Sequence, residues 1–284
     1  MRMALAEAER GRLSAPPNPW VGCVLVAGGE VIGRGFHSRA GCAHAEVEAL
    51  TDANTRNPTL VAGCTAYVTL EPCHHRGRTG PCDSALVEAG VARVVVCVED
   101  PDPRVSGNGV QFLRQKGVEV VTGVCNDEGR RSLLPYLVQR KSGRPHVVLK
   151  AALSLDGKVA CEDGTSQWIT GPEARADGHR LRSESQAIIV GSGTACHDKP
   201  KLTVRSLQLT DGTLPPAHPL LRVVLDARGS VRDGPVLDIK QAPTLIFTTE
   251  DSPTDVVSEW QASGVDVCFV SAARGGGVEL NEVL

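Results

Sequence analysis

Thr65-Ala66-Tyr67-Val68-Thr69-Leu70-Glu71-Pro72-Cys73 reads as a β-strand that runs into a proline turn and ends on a thiol. Upstream, residues 43–53 read as a helix with His44 and Glu46 in its first turn. Downstream, residues 81–89 read as a second helix, starting beside Cys82 and closed by Gly90 as a C-terminal cap. Together these segments supply one imidazole, two thiols and one carboxylate, the set that zinc hydrolytic chemistry on a nucleobase-like ring requires. His44, Cys73 and Cys82 are the candidate metal ligands; three protein ligands leave a fourth position for water, whose pKa the metal brings towards neutrality. Glu46, two residues from His44, can face that water without ligating the metal, so it is the candidate proton carrier. A helix N-terminus favours a thiolate through its unpaired N–H groups, which suits ligands at helix starts.

Cys23, Cys42, Cys64, Cys97, Cys125, Cys161, Cys196 and Cys268 have no ligand-like spacing and read as core or surface thiols. Cys42, His74 and His75 are the spare candidates for a fourth ligand, which would turn the centre into a structural one. The chain has 284 residues, enough for two domains, with 41% apolar and 22% charged residues, as in a folded globular protein. A net charge of −3, with no basic block, gives no reason to expect nucleic acid as a partner. The apolar runs are strand-sized, so no membrane span is expected. The first residues read as a helix rather than a secretory signal, and free thiols beside a zinc site fit a reducing, cytoplasmic setting.

Strands and helices alternate throughout. Strands are expected at 21–27 and 30–35 (a hairpin around Gly28-Gly29), 65–70, 91–98 and 118–121, and helices at 3–11, 43–53, 81–89 and 110–116. This predicts an α/β/α sandwich. A linker at 126–145 has a helical middle, 130–141. From Pro145 a second α/β half is expected, with strands at 146–152, 187–190, 222–225, 244–248 and 265–270 and helices at 172–182 and 254–263.

Two further stretches fix the family. In Thr69-Leu70-Glu71-Pro72-Cys73-His74-His75-Arg76-Gly77-Arg78-Thr79-Gly80-Pro81-Cys82 the thiols stand nine apart instead of in the C-x-x-C of most zinc nucleobase deaminases. Pro17-Asn18-Pro19-Trp20-Val21-Gly22 and Asp100-Pro101-Asp102-Pro103 accompany it. The second half carries Lys150-Ala151-Ala152-Leu153-Ser154-Leu155-Asp156-Gly157-Lys158, Ser166-Gln167-Trp168-Ile169-Thr170-Gly171 and Leu202-Thr203-Val204-Arg205. Across essentially its whole length the chain resembles the bifunctional deaminase/reductases of riboflavin biosynthesis. The resemblance implies a cytidine-deaminase-like three-layer α/β/α domain at 1–143 and a dihydrofolate-reductase-like α/β domain at 144–284. It implies deamination of a phosphoribosylaminopyrimidine at zinc, then NADPH-dependent reduction of the ribosyl group to ribityl.

Candidate site residues come from the chemistry of the side chains in the first half and, for the contacts of the second half, from that resemblance position by position. Asn18, in its Pro-bounded turn, reads ring polar groups, and His37, His75, Arg76 and Arg78 meet the ribose or phosphate. Ala152, Trp168, Thr194 and Asp198 are implied cofactor contacts. Ser166, Arg182, Leu202 and Arg205 are implied substrate contacts, and a guanidinium suits a phosphate because it forks onto two oxygens. Lys150 and Asp198 are the candidates for polarising the sugar. No G-x-G-x-x-G follows the first strand of this half. Gly191-Ser192-Gly193-Thr194 instead reads as a Gly-rich loop leaving strand 187–190, a place for backbone N–H groups to meet phosphate.

The sequence departs from the family at Gly80, where a second proline is usual, and at Lys199, where another acid often stands. The family pattern also continues into a Glu-Gly-Gly stretch and a final strand–helix segment, whereas this chain ends at Asn281-Glu282-Val283-Leu284. The reductase half is therefore expected to lack one or more C-terminal strands, either because the sequence is cut short or because the second activity is weak or absent, with an uncovered sheet edge that allows self-association into homo-oligomers. Three alternatives stay open on sequence: a deaminase with a purely structural second half, a nucleic-acid-editing deaminase, and a non-catalytic zinc module.

Overall fold

The apolar stretch 22–27 and the residues after it, 30–36, fold back on each other. β1 (Gly22–Ala27) and β2 (Glu30–Phe36) form an antiparallel hairpin. Its turn places Gly28 and Gly29 at φ +58° and +87°, values that glycine adopts without a Cβ clash. In the computed structural model, which describes residues 1–74, 80–102, 106–205, 209 and 212–284, this hairpin is one edge of a five-stranded sheet. β1 pairs antiparallel with β3 (Thr65–Leu70), and β4 (Arg93–Val98) and β5 (Glu119–Thr122) follow in parallel, giving the order β2-β1-β3-β4-β5.

Helices cover both faces of this sheet. On one face lie α2 (Ala45–Arg56), α3 (Cys82–Glu88) and α4 (Asn108–Gln115). Their Ala45, Ala49, Ala53, Leu86 and Leu113 pack on Cys23, Leu25, Ala66, Val68, Val94 and Val96. On the other face, Ala8 of α1 (Arg2–Arg10) joins Leu133, Tyr136 and Leu137, from the region of α5 (Asn126–Ser132) and α6 (Leu134–Ser142), over Leu70, Cys97 and Val98. Each fully buried leucine contributes about 1.5–3 kcal/mol of transfer free energy. The expected three-layer arrangement is thus present, with the linker's helical middle split into two helices.

The contact between α2 and β2 is unusually close, because β2 carries glycine where the helix crosses it. A Cβ on Gly35 would stand 2.4 Å from the Ala49 nitrogen and 2.5 Å from the Ala45 oxygen; one on Gly33 would stand 2.4 Å from the Ala49 oxygen. The missing side chains bring the first turn of α2 down onto the sheet and set the height of the residues just before it.

Residues Met1–Val147 together with Leu209–Ala217 form one unit, and Val148–Gln208 together with His218–Leu284 form a second. In the second, β6 (Ala187–Gly191), β7 (Leu221–Leu225), β8 (Thr244–Thr248) and β9 (Asp266–Phe269) are all parallel, in that order. Ala195 of α8 (Ser192–His197) and Val256, Val257 and Trp260 of α9 (Thr254–Ala262) pack against Val224 and Ile246 of this sheet. α7 (Pro172–Ser183) precedes β6. Arg222 of β7 is fully buried, and its guanidinium donates to the carbonyls of Lys201, Pro235, Asp238 and Ala242 at 2.6–3.3 Å.

Three sequence expectations are corrected here. Residues 146–152 form no strand; Leu149 is 93% exposed and Val147 and Val148 are over half exposed. An apolar run becomes a strand only when a neighbour completes its ladder, and neither edge of the second sheet, β6 or β9, pairs with it. Residues 192–197 wind into α8 with Gly191 as the N-cap, rather than forming a loop. His44 is the N-cap of α2, at φ −78° and ψ 163°, one residue outside the helix instead of in its first turn.

Candidate active site

Three elements deliver the cluster. His44 stands at the N-cap of α2, Cys73 two residues past the Glu71 turn at the end of β3, and Cys82 opens α3. His44 Nδ1 and the two Sγ atoms all lie within 4.8 Å of one another. His44 Nδ1 is 3.1 Å from Cys82 Sγ and 3.6 Å from Cys73 Sγ, and the Cys82 backbone N–H donates to Cys73 Sγ at 3.5 Å. Nitrogen and sulfur ligands at their usual distances from one tetrahedral zinc ion stand about 3.6 Å apart, so the donor set and its spacing fit zinc. Among the described residues the cluster stops at three. Cys42 is exposed and outside it, and His74 is turned to Asp83, so neither of these two spare candidates joins the cluster.

Burial sets the electrostatics. Glu46, 3% exposed in the first turn of α2, has its carboxyl pushed up to about 7, chiefly by burial and then by the charge at Cys73. Cys73 is held down at about 4 by the hydrogen bond from Cys82 and by His44, and Cys82 is pushed up by that same bond and by burial. His44 is raised by its bond to Cys73. Two thiols and a carboxylate gathered out of water make a site that a divalent cation relieves of repulsion.

Around the cluster, His37 is buried with both ring nitrogens engaged. Nδ1 donates to the Ala43 carbonyl at 3.0 Å, so Nε2 accepts from Asn18 Nδ2, also at 3.0 Å. Its ring meets His44 edge-on, 5.2 Å between centroids. His37 thereby fixes the orientation of the Asn18 amide. His75, Arg76 and Arg78 lie outside the described residues.

One role was missed in sequence. Glu71 is buried, and its carboxylate accepts from the backbone N–H groups of Asp100, Gly107 and Val110 at 3.3, 3.0 and 3.2 Å. It seats the Pro72-Cys73 turn on the start of α4. The available signal was an acid closing a buried apolar strand, a position where a carboxylate needs donors.

In the second unit the named residues spread over several segments. Arg182, on α7, donates to the Thr203 carbonyl at 2.8 Å, and the Arg205 backbone N–H donates to His179 Nδ1 at 3.2 Å. His179 is held low by burial and then by the charges of the Arg182 and Arg205 guanidinia. The Lys150 side chain runs beside Gly178, one helical turn before Arg182. Trp168 is 69% exposed with the Arg175 guanidinium 4.5 Å over its ring. Ala152 is half-buried and Ser166 half-buried in the irregular chain before α7. Thr194 lies in α8, and Asp198 caps the end of that helix. Leu202 is in the core of the unit at φ +53°, so it presents main chain rather than side chain.

Comparison with known proteins settles the family. Residues 1–98 match the family model described as "Cytidine and deoxycytidylate deaminase zinc-binding region", and residues 145–284 match "RibD C-terminal domain". The chain is 46% identical over 283 residues to the riboflavin biosynthesis protein RibD of Chlamydia pneumoniae, covering all of this chain and 73% of that one. The chain belongs to the RibD family. The Escherichia coli RibD protein is 46% identical over 260 residues, covering 89% of this chain and 69% of that protein. The RibD structure from Acinetobacter baumannii superposes with a TM-score of 0.81 at 41% identity, over 96% of this chain and 74% of that one. The Thermotoga maritima structure, titled a diaminohydroxyphosphoribosylaminopyrimidine deaminase/5-amino-6-(5-phosphoribosylamino)uracil reductase, gives a TM-score of 0.79 at 34% identity, over 96% of this chain and 80% of that one. As a RibD-family chain it is a bifunctional enzyme of riboflavin biosynthesis, a pyrimidine deaminase joined to a reductase. No helix of the described residues is long and apolar enough to cross a membrane.

Proposed function

We propose that the first domain, residues 1–143, deaminates 2,5-diamino-6-(5-phosphoribosylamino)pyrimidin-4-one. The second, 144–284, then reduces the ribosyl group of the product to ribityl with NADPH. The observation that carries the reading is the three-donor cluster of His44, Cys73 and Cys82 with a buried carboxyl, Glu46, beside it. Zinc held by those three residues supplies a nucleophile from water at neutral pH. Glu46, poised near neutrality, carries two protons in turn: the one that water gives up on attack goes to the ring nitrogen, and the one from the newly formed hydroxyl goes to the departing amine. A carbon–oxygen bond forms, the exocyclic carbon–nitrogen bond breaks, and ammonia leaves. Asn18, held by His37, reads ring polar groups, and His75, Arg76 and Arg78 take the ribose phosphate.

In the second domain Arg182 and Arg205 bind the substrate phosphate with Ser166 and the Leu202 main chain, and Lys150 and Asp198 polarise the sugar. Ala152, Trp168, Thr194 and Asp198 contact NADPH. The backbone supports this, since a Cβ on Gly191 or Gly193 would meet nothing within 4 Å, so a phosphate can approach the main chain there. NADPH held there would supply a hydride for the anomeric carbon of the ribosyl group; the bond from that carbon to the ring oxygen breaks, the oxygen takes up a proton from solvent, and NADP+ and the ribityl product result. All ten cysteines are unpaired thiols, the state a reducing cytoplasm maintains.

The test follows ammonia release and NADPH oxidation separately on that substrate with zinc-loaded protein. Both signals are expected. Ammonia without NADPH oxidation would confine activity to the first domain, and no ammonia from folded, zinc-loaded protein would refute the catalytic centre.

A further inference from the structure

The loop between Cys73 and Cys82 carries both thiols of the centre, and the side chains immediately after each thiol meet across its neck. His74 Nδ1 donates to Asp83 Oδ2 at 2.5 Å. Asp83 is fully buried, and its other oxygen, Oδ1, accepts from the Ser84 backbone N–H at 2.5 Å and the Ser84 hydroxyl at 3.2 Å. A buried carboxylate needs its acceptors filled, so His74 is a partner Asp83 requires rather than a chance neighbour. The main chain runs the same way: Asp83 N–H donates to the Cys73 carbonyl at 3.3 Å. The His74 ring also leans on Phe112 of α4, 5.0 Å between centroids.

We propose that His74 and Asp83 are positioning residues of the metal centre, a clasp that closes the neck of the Cys73–Cys82 loop and holds the two thiols at chelating separation. The proposal rests on reading His44, Cys73 and Cys82 as the zinc ligands. Groups that orient metal ligands from behind are worth about 10- to 100-fold in metal affinity. The backbone bond at the neck persists in any side-chain variant, so the loss falls in the lower part of that range. His74 was a spare ligand candidate on sequence; the structure gives its ring a different task.

The experiment compares wild type, His74→Ala and His74→Asn in the full chain, measuring zinc Kd by competition with a chromophoric chelator. The His74 side chain is 44% exposed, so its removal leaves no core cavity, and thermal unfolding of each zinc-loaded variant checks folding. Alanine is expected to weaken zinc binding about 10- to 30-fold. Deaminase activity lost at limiting zinc should return as zinc is raised. Asparagine, whose amide still donates to Asp83, should stay within about threefold of wild type. Unchanged Kd in His74→Ala overturns the clasp. So does an equal loss in both variants, which would assign the effect to the ring's contact with Phe112. A wild-type protein that binds no zinc refutes the ligand assignment itself, a result distinct from either of these.

Discussion

Gly35→Ala tests whether the packing of α2 on β2 sets the active-site geometry. The new Cβ would stand 2.4 Å from the Ala49 nitrogen, 2.5 Å from the Ala45 oxygen and 2.6 Å from Glu48 Cβ, against an ordinary contact of 3.4 Å or more. Relief requires about 1 Å of separation between strand and helix. Two of the three clashing residues lie in the first turn of α2, whose first carbonyl-bonded residue is Glu48, tied to His44 at 3.0 Å. Lifting that turn therefore lifts His44 Nδ1 and Glu46 together. A metal ligand tolerates about 0.2 Å of displacement, and a 1 Å misplacement at a reacting centre costs about 100-fold in rate. Overpacking itself costs about 1–3 kcal/mol of stability. Gly33→Ala is the matched comparison, because its clashes, with Ala49 and Ala53, fall further along the helix. The assay is kcat/KM for ammonia release, with zinc content and urea unfolding measured on the same samples. We expect Gly35→Ala to lose about 100-fold in kcat/KM and Gly33→Ala clearly less at a similar stability loss. If Gly35→Ala kept wild-type kcat/KM and full zinc, or if the two variants lost activity equally, the helix would not transmit the strain to the site.

Other outcomes follow from single groups. Glu46→Gln should retain zinc and lose about 10²- to 10⁴-fold in deamination rate, read by metal analysis and ammonia release. The same substitution has a stability signature in chelator-treated protein. The folded pKa, about 7, lies above the ordinary 4.5, so folding disfavours the charged form. That penalty is absent below about 4.5 and complete above about 7, where it reaches about 3 kcal/mol. Glu46→Gln should thus be the more stable protein in urea at pH 8, with the difference shrinking as the pH falls; equal stability at pH 8 would count against a buried carboxylate. Arg222→Ala leaves four carbonyls without their donor and should cost about 3–5 kcal/mol, read as an early thermal transition with deamination retained. Arg182→Ala and Arg205→Ala should each raise the reductase KM about 10- to 100-fold with little change on an unphosphorylated substrate, a split that a purely structural arginine would not give.

The residues around the deaminase centre were legible because their signals are local. The continuous apolar runs at 22–27 and 93–98, the alternating run at 65–70, and the helices that follow His44 and Pro81 come from backbone geometry that the sequence carries in a short window, although the first helix begins at Ala45, two residues later than read. Ligand chemistry likewise needs only side-chain identity and order, so His44, Glu46, Cys73 and Cys82 could be named without coordinates. Pairing and proximity are different in kind, because the partner is distant in the chain. Residues 146–152 have a strand's composition, yet no neighbour completes their ladder. Arg222 looks like a surface charge, yet four carbonyls from outside its strand enclose it. Cys42, two residues from His44, stays out of the cluster, while Cys82, 38 residues from His44, joins it. His74 had the chemistry of a fourth ligand; the fully buried Asp83, which needs its proton, turned it the other way. Sequence determined which chemistry the chain carries, because chemistry resides in side chains; only the tertiary structure decided which groups meet, because burial and hydrogen-bond satisfaction are settled by neighbours brought together from a distance.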